Sequence, residues 1–367
     1  MGETMPNSLG LKQPVLGIVT ALVAVSLSLG ICAQFDPATF GSWVALLIMS
    51  AIPAQIVIGL VWQSAYPGFL GRLSQPVKGM AILGLMLAAA LVMTPTILAL
   101  VDGGFGVPKP FAIMFTIVSV CCAFWLVAVF QCWPMAAMSK HPGVIGLGVF
   151  VLAYVTALIT FRLGFDFGAM KDAPFYAAAL DPKGAFPAWK ALAFIVTTVS
   201  VIMWFVLLDF WPSATIAAAI PALGRQPLFG LLNAVLVLAA SWVVWTLGIK
   251  VMGMDVVDYM VRVPVSGLFG EFIMLVMMQT APFQTIRQPV KGLLLLVLVV
   301  VLAVVMYRVY AAAAVMLVGA MPGGAPTYGL DLWIATAMLS VTFPVFVALG
   351  DGFAFWPLSR PAPDAAQ

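Results

Sequence analysis

The chain alternates between long apolar runs and short connections that carry almost all of its charge. Ten runs approach or exceed the roughly 20 residues that an α-helix needs to cross a bilayer. They cover residues 14–33, 43–63, 79–101, 111–133, 144–164, 188–210, 228–249, 264–281, 291–318 and 332–356. The ninth is long enough to tilt or to end early. The pattern predicts an all-α, polytopic integral membrane protein of about ten transmembrane helices.

The connections repeat themselves. "SQPVKG" from Ser74 and "RQPVKG" from Arg287 are the clearest copies of a motif that leads into every odd run. The others are "KQPVLG" from Lys12, "RQPLFG" from Arg225 and "KHPGVIG" from Lys140, which has one extra residue. A second signature closes every even run: "WQSAYP", "FQCWP", "LDFWP", "MQTAP" and "FAFWP", ending at Pro67, Pro134, Pro212, Pro282 and Pro357. Fixed self-similarity of this kind marks a repeat architecture. The chain divides into five two-helix hairpins, approximately 12–73, 74–139, 140–224, 225–286 and 287–360, within one membrane domain. Odd runs match odd runs, so the copies run parallel through the membrane rather than inverted.

The motif residues Gln13, Gln75, His141, Gln226 and Gln288 have a local rationale. The proline after each sits at a helix start, where no N–H is needed. The Gln or His can reach the orphan N–H groups of that start. The following glycine permits close helix approach. The short polar head and apolar first run also fit a cleaved signal peptide, but that run carries the same entry motif as the others and is expected to stay in the mature chain.

Charge then gives direction. The motif-bearing connections hold Lys12, Arg72, Lys78, Lys140, Arg225, Arg287, Lys291 and Arg360 with almost no acids. The opposite set mixes acids such as Asp36, Asp102, Asp172, Asp255 and Asp331 with fewer bases. The positive-inside rule places the first set, and both termini, in the cytoplasm. A bacterial-type inner membrane is the expected location.

Composition narrows the classes further. Hydrophobic residues make up 64% of the chain and charged residues 8%, against about a quarter charged in soluble domains. No basic cluster suits a nucleic acid. Cys32, Cys121, Cys122 and Cys132 lie in apolar stretches without a CxxC and read as small buried hydrophobes. His141 is the only histidine, which argues against bis-histidine haem, copper and di-iron centres. No metal and no cofactor are expected, and no catalytic constellation is visible.

Candidate chemistry is sparse. Glu271, in "GLFGEFIML", lies about 10 Å inside the eighth run if that run starts near Pro264. A carboxyl there costs about 2.5–3.5 kcal/mol and must face the bundle interior, either as a proton-coupling or amine-binding group or as a neutral acid bonded to a neighbouring helix. Arg308 is a partner for it at the same outer level, or a snorkelling cation. Arg162 reads as a headgroup anchor. Gln63, Gln131, Asp209 and Gln279 precede the exit prolines and can point to one cytoplasmic-side level if the hairpins circle an axis, with Asp351 as an offset fifth member. This ring caps helix ends or lines a polar vestibule, and Asp209 and Asp351 call for cations such as Arg225 or Arg360. Gln55 beside Pro53, Asn233 and Pro344 mark breaks that can line a cavity. The uncharged loop Ser213–Gly224 is expected to lie at the interface or dip back.

These observations lead to a secondary transporter or facilitator for a small neutral, weakly polar or apolar solute, proton-coupled through Glu271 if coupled at all. The alternative is a non-transporting membrane subunit that holds protein partners, lipid or quinone. The bilayer and a small-molecule solute are the expected partners. Association with like chains or with a membrane complex stays open.

Overall fold

The computed structural model describes residues 10–359; Arg360 and the end of the fifth hairpin lie outside them. Among the described residues, ten helices are long and apolar enough to cross a membrane. They are α1 Val15–Cys32, α2 Pro37–Val61, α3 Val77–Val101, α4 Pro110–Val129, α5 Pro142–Gly164, α6 Ala188–Leu207, α7 Leu228–Val251, α8 Val256–Met277, α9 Val290–Val318 and α10 Gly329–Gly352.

The even helices form an inner ring. α2 packs on α4, α4 on α6, α6 on α8, α8 on α10, and α10 on α2. Each odd helix lies outside, in the groove between two inner ones. α1 fills the groove of α8 and α10, α3 that of α10 and α2, and α5 that of α2 and α4; α7 fills that of α4 and α6, and α9 that of α6 and α8. Burial follows this arrangement: α6 and α8 are mostly buried, whereas α7 and α9 leave most of their surface exposed. The exposed residues are apolar, among them Leu22, Leu87, Leu147, Val235 and Val300. A surface of this composition fits lipid rather than water.

The motif residues hold the outer helices in their grooves. Gln13 Nε2 donates to the carbonyl of Met277 at the end of α8 (2.8 Å), and its Oε1 accepts from Gly17 N (3.2 Å). Gln75 bonds in the same way to Gly352 and Gly79, Gln226 to Val129 and Gly230, and Gln288 to Leu207 and Gly292. The side chain thus satisfies one orphan donor of its own helix and one orphan acceptor of another. The glycine is required by the close approach: a Cβ at Gly17 would stand 2.5 Å from the Met277 carbonyl oxygen. Where His141 replaces glutamine, Trp62 Nε1 supplies the link by donating to the carbonyl of Pro142 (2.8 Å).

The even helices also end alike. Two successive residues take left-handed backbone: Gln63 and Ser64, Gln131 and Cys132, Asp209 and Phe210, Gln279 and Thr280, Ala354 and Phe355. In four of them the second amide reaches back six residues, as from Ser64 N to Ile58 O (2.8 Å). In α6 it reaches five, from Phe210 N to Phe205 O (2.7 Å), because the final π-turn present in α2, α4, α8 and α10 is missing there.

Two helix starts differ from the sequence pattern by more than four residues. α2 starts at Pro37, where Asp36 caps the helix by accepting from Ala38 N and Thr39 N (both 3.0 Å). α8 starts at Val256 rather than near Pro264. The charges of its first turns are accommodated, because Asp258 and Arg262 pair with each other at 2.5 Å. Pro264 falls in a π-turn, Val261–Val265, inside the helix. The loop Ser213–Gly224 forms a mostly exposed short helix, Ser213–Ala219, followed by a 3₁₀ turn, packed beside α7.

Candidate functional site

A ring of five helices leaves space on its axis when the inward side chains do not meet. Here they enclose a cavity of about 960 Å³, at the upper end of the range for small-molecule sites. Its wall is built by Met49, Met114, Val196, Met260 and Leu339, one from each inner helix, with Phe40, Trp189 and Trp333 toward the mouth. The mouth lies at the start of the inner helices, among Pro37, Pro108, Asp172, Phe175 and Tyr328. The opposite end, where the motif residues dock, is closed by side chains. Among the described residues, Asp172 is the only charged one lining the cavity, and it is exposed at the rim.

Acids hold the mouth in shape. Asp255 caps α8 through Val257 N (2.8 Å) and accepts the Tyr328 hydroxyl (3.0 Å). Asp102 accepts from Lys109 N (3.1 Å), and the Lys109 ammonium stands 3.7 Å away. Asp331 accepts from Gly324 N (2.9 Å). Hydrogen bonds from the first turn of α2 hold the Asp36 carboxyl below its ordinary pKa. Burial pushes Asp102 up despite Lys109. Desolvation, and then the bond to Asp255, raise Tyr328.

Glu271 lies beside the cavity and not in its wall. It is fully buried, and its Oε1 accepts from Ser200 Oγ (2.6 Å) and Trp204 Nε1 (2.7 Å), both on α6. Its Oε2 has no partner. α8 starts earlier than its apolar run and ends at Met277, so Glu271 is six residues before the helix end, roughly 9 Å from the motif end. Arg308 is eighteen residues into α9, roughly 27 Å from that same end, and exposed on the outer face. The structure does not bring these two together. Arg162 donates to the carbonyl of Leu100 (3.1 Å), which ties α5 to α3.

Gln55 occupies the same place in α2 that Glu271 occupies in α8, eight residues before the first left-handed residue. Its Nε2 donates to the carbonyl of Pro344 on α10 (2.9 Å), and its buried Oε1 is unpartnered. Each side chain therefore reaches back to the preceding inner helix and keeps one oxygen unsatisfied. Asn233 is buried in α7, accepting from Ser213 Oγ (2.5 Å) and donating to Phe229 O (2.9 Å). It anchors the short helix rather than lining the cavity.

The exit residues Gln63, Gln131, Asp209 and Gln279 are exposed at the motif end. The fifth equivalent position is Ala354 and not Asp351, as the shared left-handed backbone shows. Asp209 takes its bond from Gln288 Nε2 (3.0 Å) rather than from Arg225. Several buried pairs escaped sequence reasoning: Ser200 and Trp204 with Glu271, Thr197 with Tyr259 (2.9 Å), Trp125 with Thr198 (2.9 Å), and Tyr310 with Thr342. The run "TTVS" at Thr197–Ser200, polar in the middle of an apolar helix, was the available signal.

Ten helices fit to cross a membrane, an apolar outer face and a cavity on the axis define a multi-pass membrane protein. No protein-family model, no curated protein and no solved structure matches the chain.

Proposed function

We propose that this chain is a secondary transporter or facilitator for a small uncharged, weakly polar or apolar solute, with both termini on the cytoplasmic side of a bacterial-type inner membrane. In this reading it is five parallel two-helix repeats, and the cationic motif end is cytoplasmic by the positive-inside rule. The observation that carries the reading is the axial cavity, open at one end and bounded by one helix from each hairpin. An apolar wall without a counter-charge favours an uncharged solute, because a bare ion there would forfeit its hydration.

Glu271 is the coupling group of this reading. It sits in the α6–α8 seam with one oxygen free, so protonation alters how those two inner helices hold each other. The test is flux of a panel of uncharged solutes into proteoliposomes, with and without a pH gradient, for wild type and Glu271→Gln. Gradient-driven accumulation in wild type that falls to passive equilibration in the variant is expected. Equal accumulation by both removes the coupling role.

One observation favours a second reading. The wall is aromatic and methionine-rich enough to hold a lipid-soluble molecule without moving it. A membrane subunit of this kind would show no flux for any solute and would copurify with partner proteins.

A further inference from the structure

The large cavity narrows toward the motif end into a second void of about 40 Å³. Counting back from the first left-handed residue of each exit shows what surrounds it. Eleven residues before Gln63, Gln131, Gln279 and Ala354 stand Ile52, Val120, Leu268 and Phe343. Val199 stands ten before Asp209, which is the equivalent place because α6 lacks the extra residue of the π-turn. All five line the small void. One layer of the ring thus contributes one apolar side chain from each inner helix to a single collar.

The closure continues just beyond. Phe272 lies 4.6 Å from Phe343, centroid to centroid, and Phe124 lies 6.2 Å from each of them. These rings come from α4, α8 and α10. The void has room for about one water, but no lining side chain is polar except the thiol of Cys121. A water there lacks the two to four partners that would hold it. Narrow apolar collars of this kind block ions by staying dry.

We propose that Ile52, Val120, Val199, Leu268 and Phe343 form a dewetted constriction that sets what can leave the cavity toward the motif end. An uncharged solute that sheds its water passes when the ring loosens, whereas ions and hydrated protons are stopped. The proposal rests on the transport reading, and its test separates the two.

The experiment uses the full-length protein in proteoliposomes and reads potassium efflux and dye-reported proton leak. Val120→Thr with Val199→Thr keeps the width of the collar but makes it polar; Phe343→Ala widens it. Both are expected to leak at least about tenfold faster than wild type. The collar is overturned if both variants, monodisperse and melting with wild type, stay as tight as wild type. Leak in Phe343→Ala alone would mean a steric plug and overturns the dewetted collar. Leaky variants of a wild type that moves no solute would keep the collar and sink the transport reading. Tight variants of a wild type that does move solute would do the reverse.

Discussion

Ser200 and Trp204 hold a carboxyl that has no access to water and no cation beside it. Two donors to one oxygen suit a glutamine carbonyl as well as a carboxyl. Glu271→Gln is therefore expected to melt close to wild type, whereas Glu271→Ala strands both donors and should cost about 1–3 kcal/mol. Thermal unfolding in detergent compares the two. At the mouth, two carboxylates respond to pH in opposite senses. The folded pKa of Asp36 is depressed, so its contribution is present above the ordinary carboxylate range and is lost as pH falls through the folded value. That of Asp102 is raised, so its contribution is full below the ordinary range and declines as pH rises through the folded value. Melting curves taken from acid to neutral pH should lose the first slope in Asp36→Asn and the second in Asp102→Asn.

An outer helix is held by its entry residue as well as by packing, since lipid competes for its apolar contacts but not for the glutamine bonds. Gln75→Ala removes the bonds to Gly352 and Gly79 together and leaves a buried carbonyl unpaired. A loss of about 1–3 kcal/mol is expected, with faster proteolysis of the connection before α3 as a second readout. Gly17→Val should be worse than Gln13→Ala, because it drives a side chain into the α8 backbone. The sequence revealed these helices and their motif because both are local: run length, proline placement and charge bias need no partner to be seen. It misplaced the start of α8, because Asp258 and Arg262 neutralise each other only once the helix exists. It paired Glu271 with Arg308 for the same reason, since depth was counted from the wrong end residue. Asp351 stands three residues before the fifth exit, Ala354, an offset that arises because an exit is defined by backbone conformation and not by the nearest acid.

Across the whole molecule, neighbours in the ring include the first and last hairpins, which no local pattern could disclose. In a cysteine-free background, cysteines at Gln13 and Met277 should join under a short bifunctional thiol reagent, as should cysteines at Gln75 and Gly352. Cysteines at Gln13 and Val129, at the end of α4 across the ring, should not join. The opposite outcome, read as cross-linked fragments after cleavage of an engineered loop site, would break the ring order given by the contacts.

The docking order also bears on how the chain is made. Pro142, bound by Trp62, and Gln226 and Gln288 latch backward, onto the ends of α2, α4 and α6, which a ribosome has already delivered. Gln13 and Gln75 latch forward, onto α8 and α10. The two earliest hairpins must therefore wait unlocked in the bilayer until the last two emerge. Chains that stop short of α8 leave both latches without a keeper, and they present the membrane's quality-control proteases with two loose N-terminal helices.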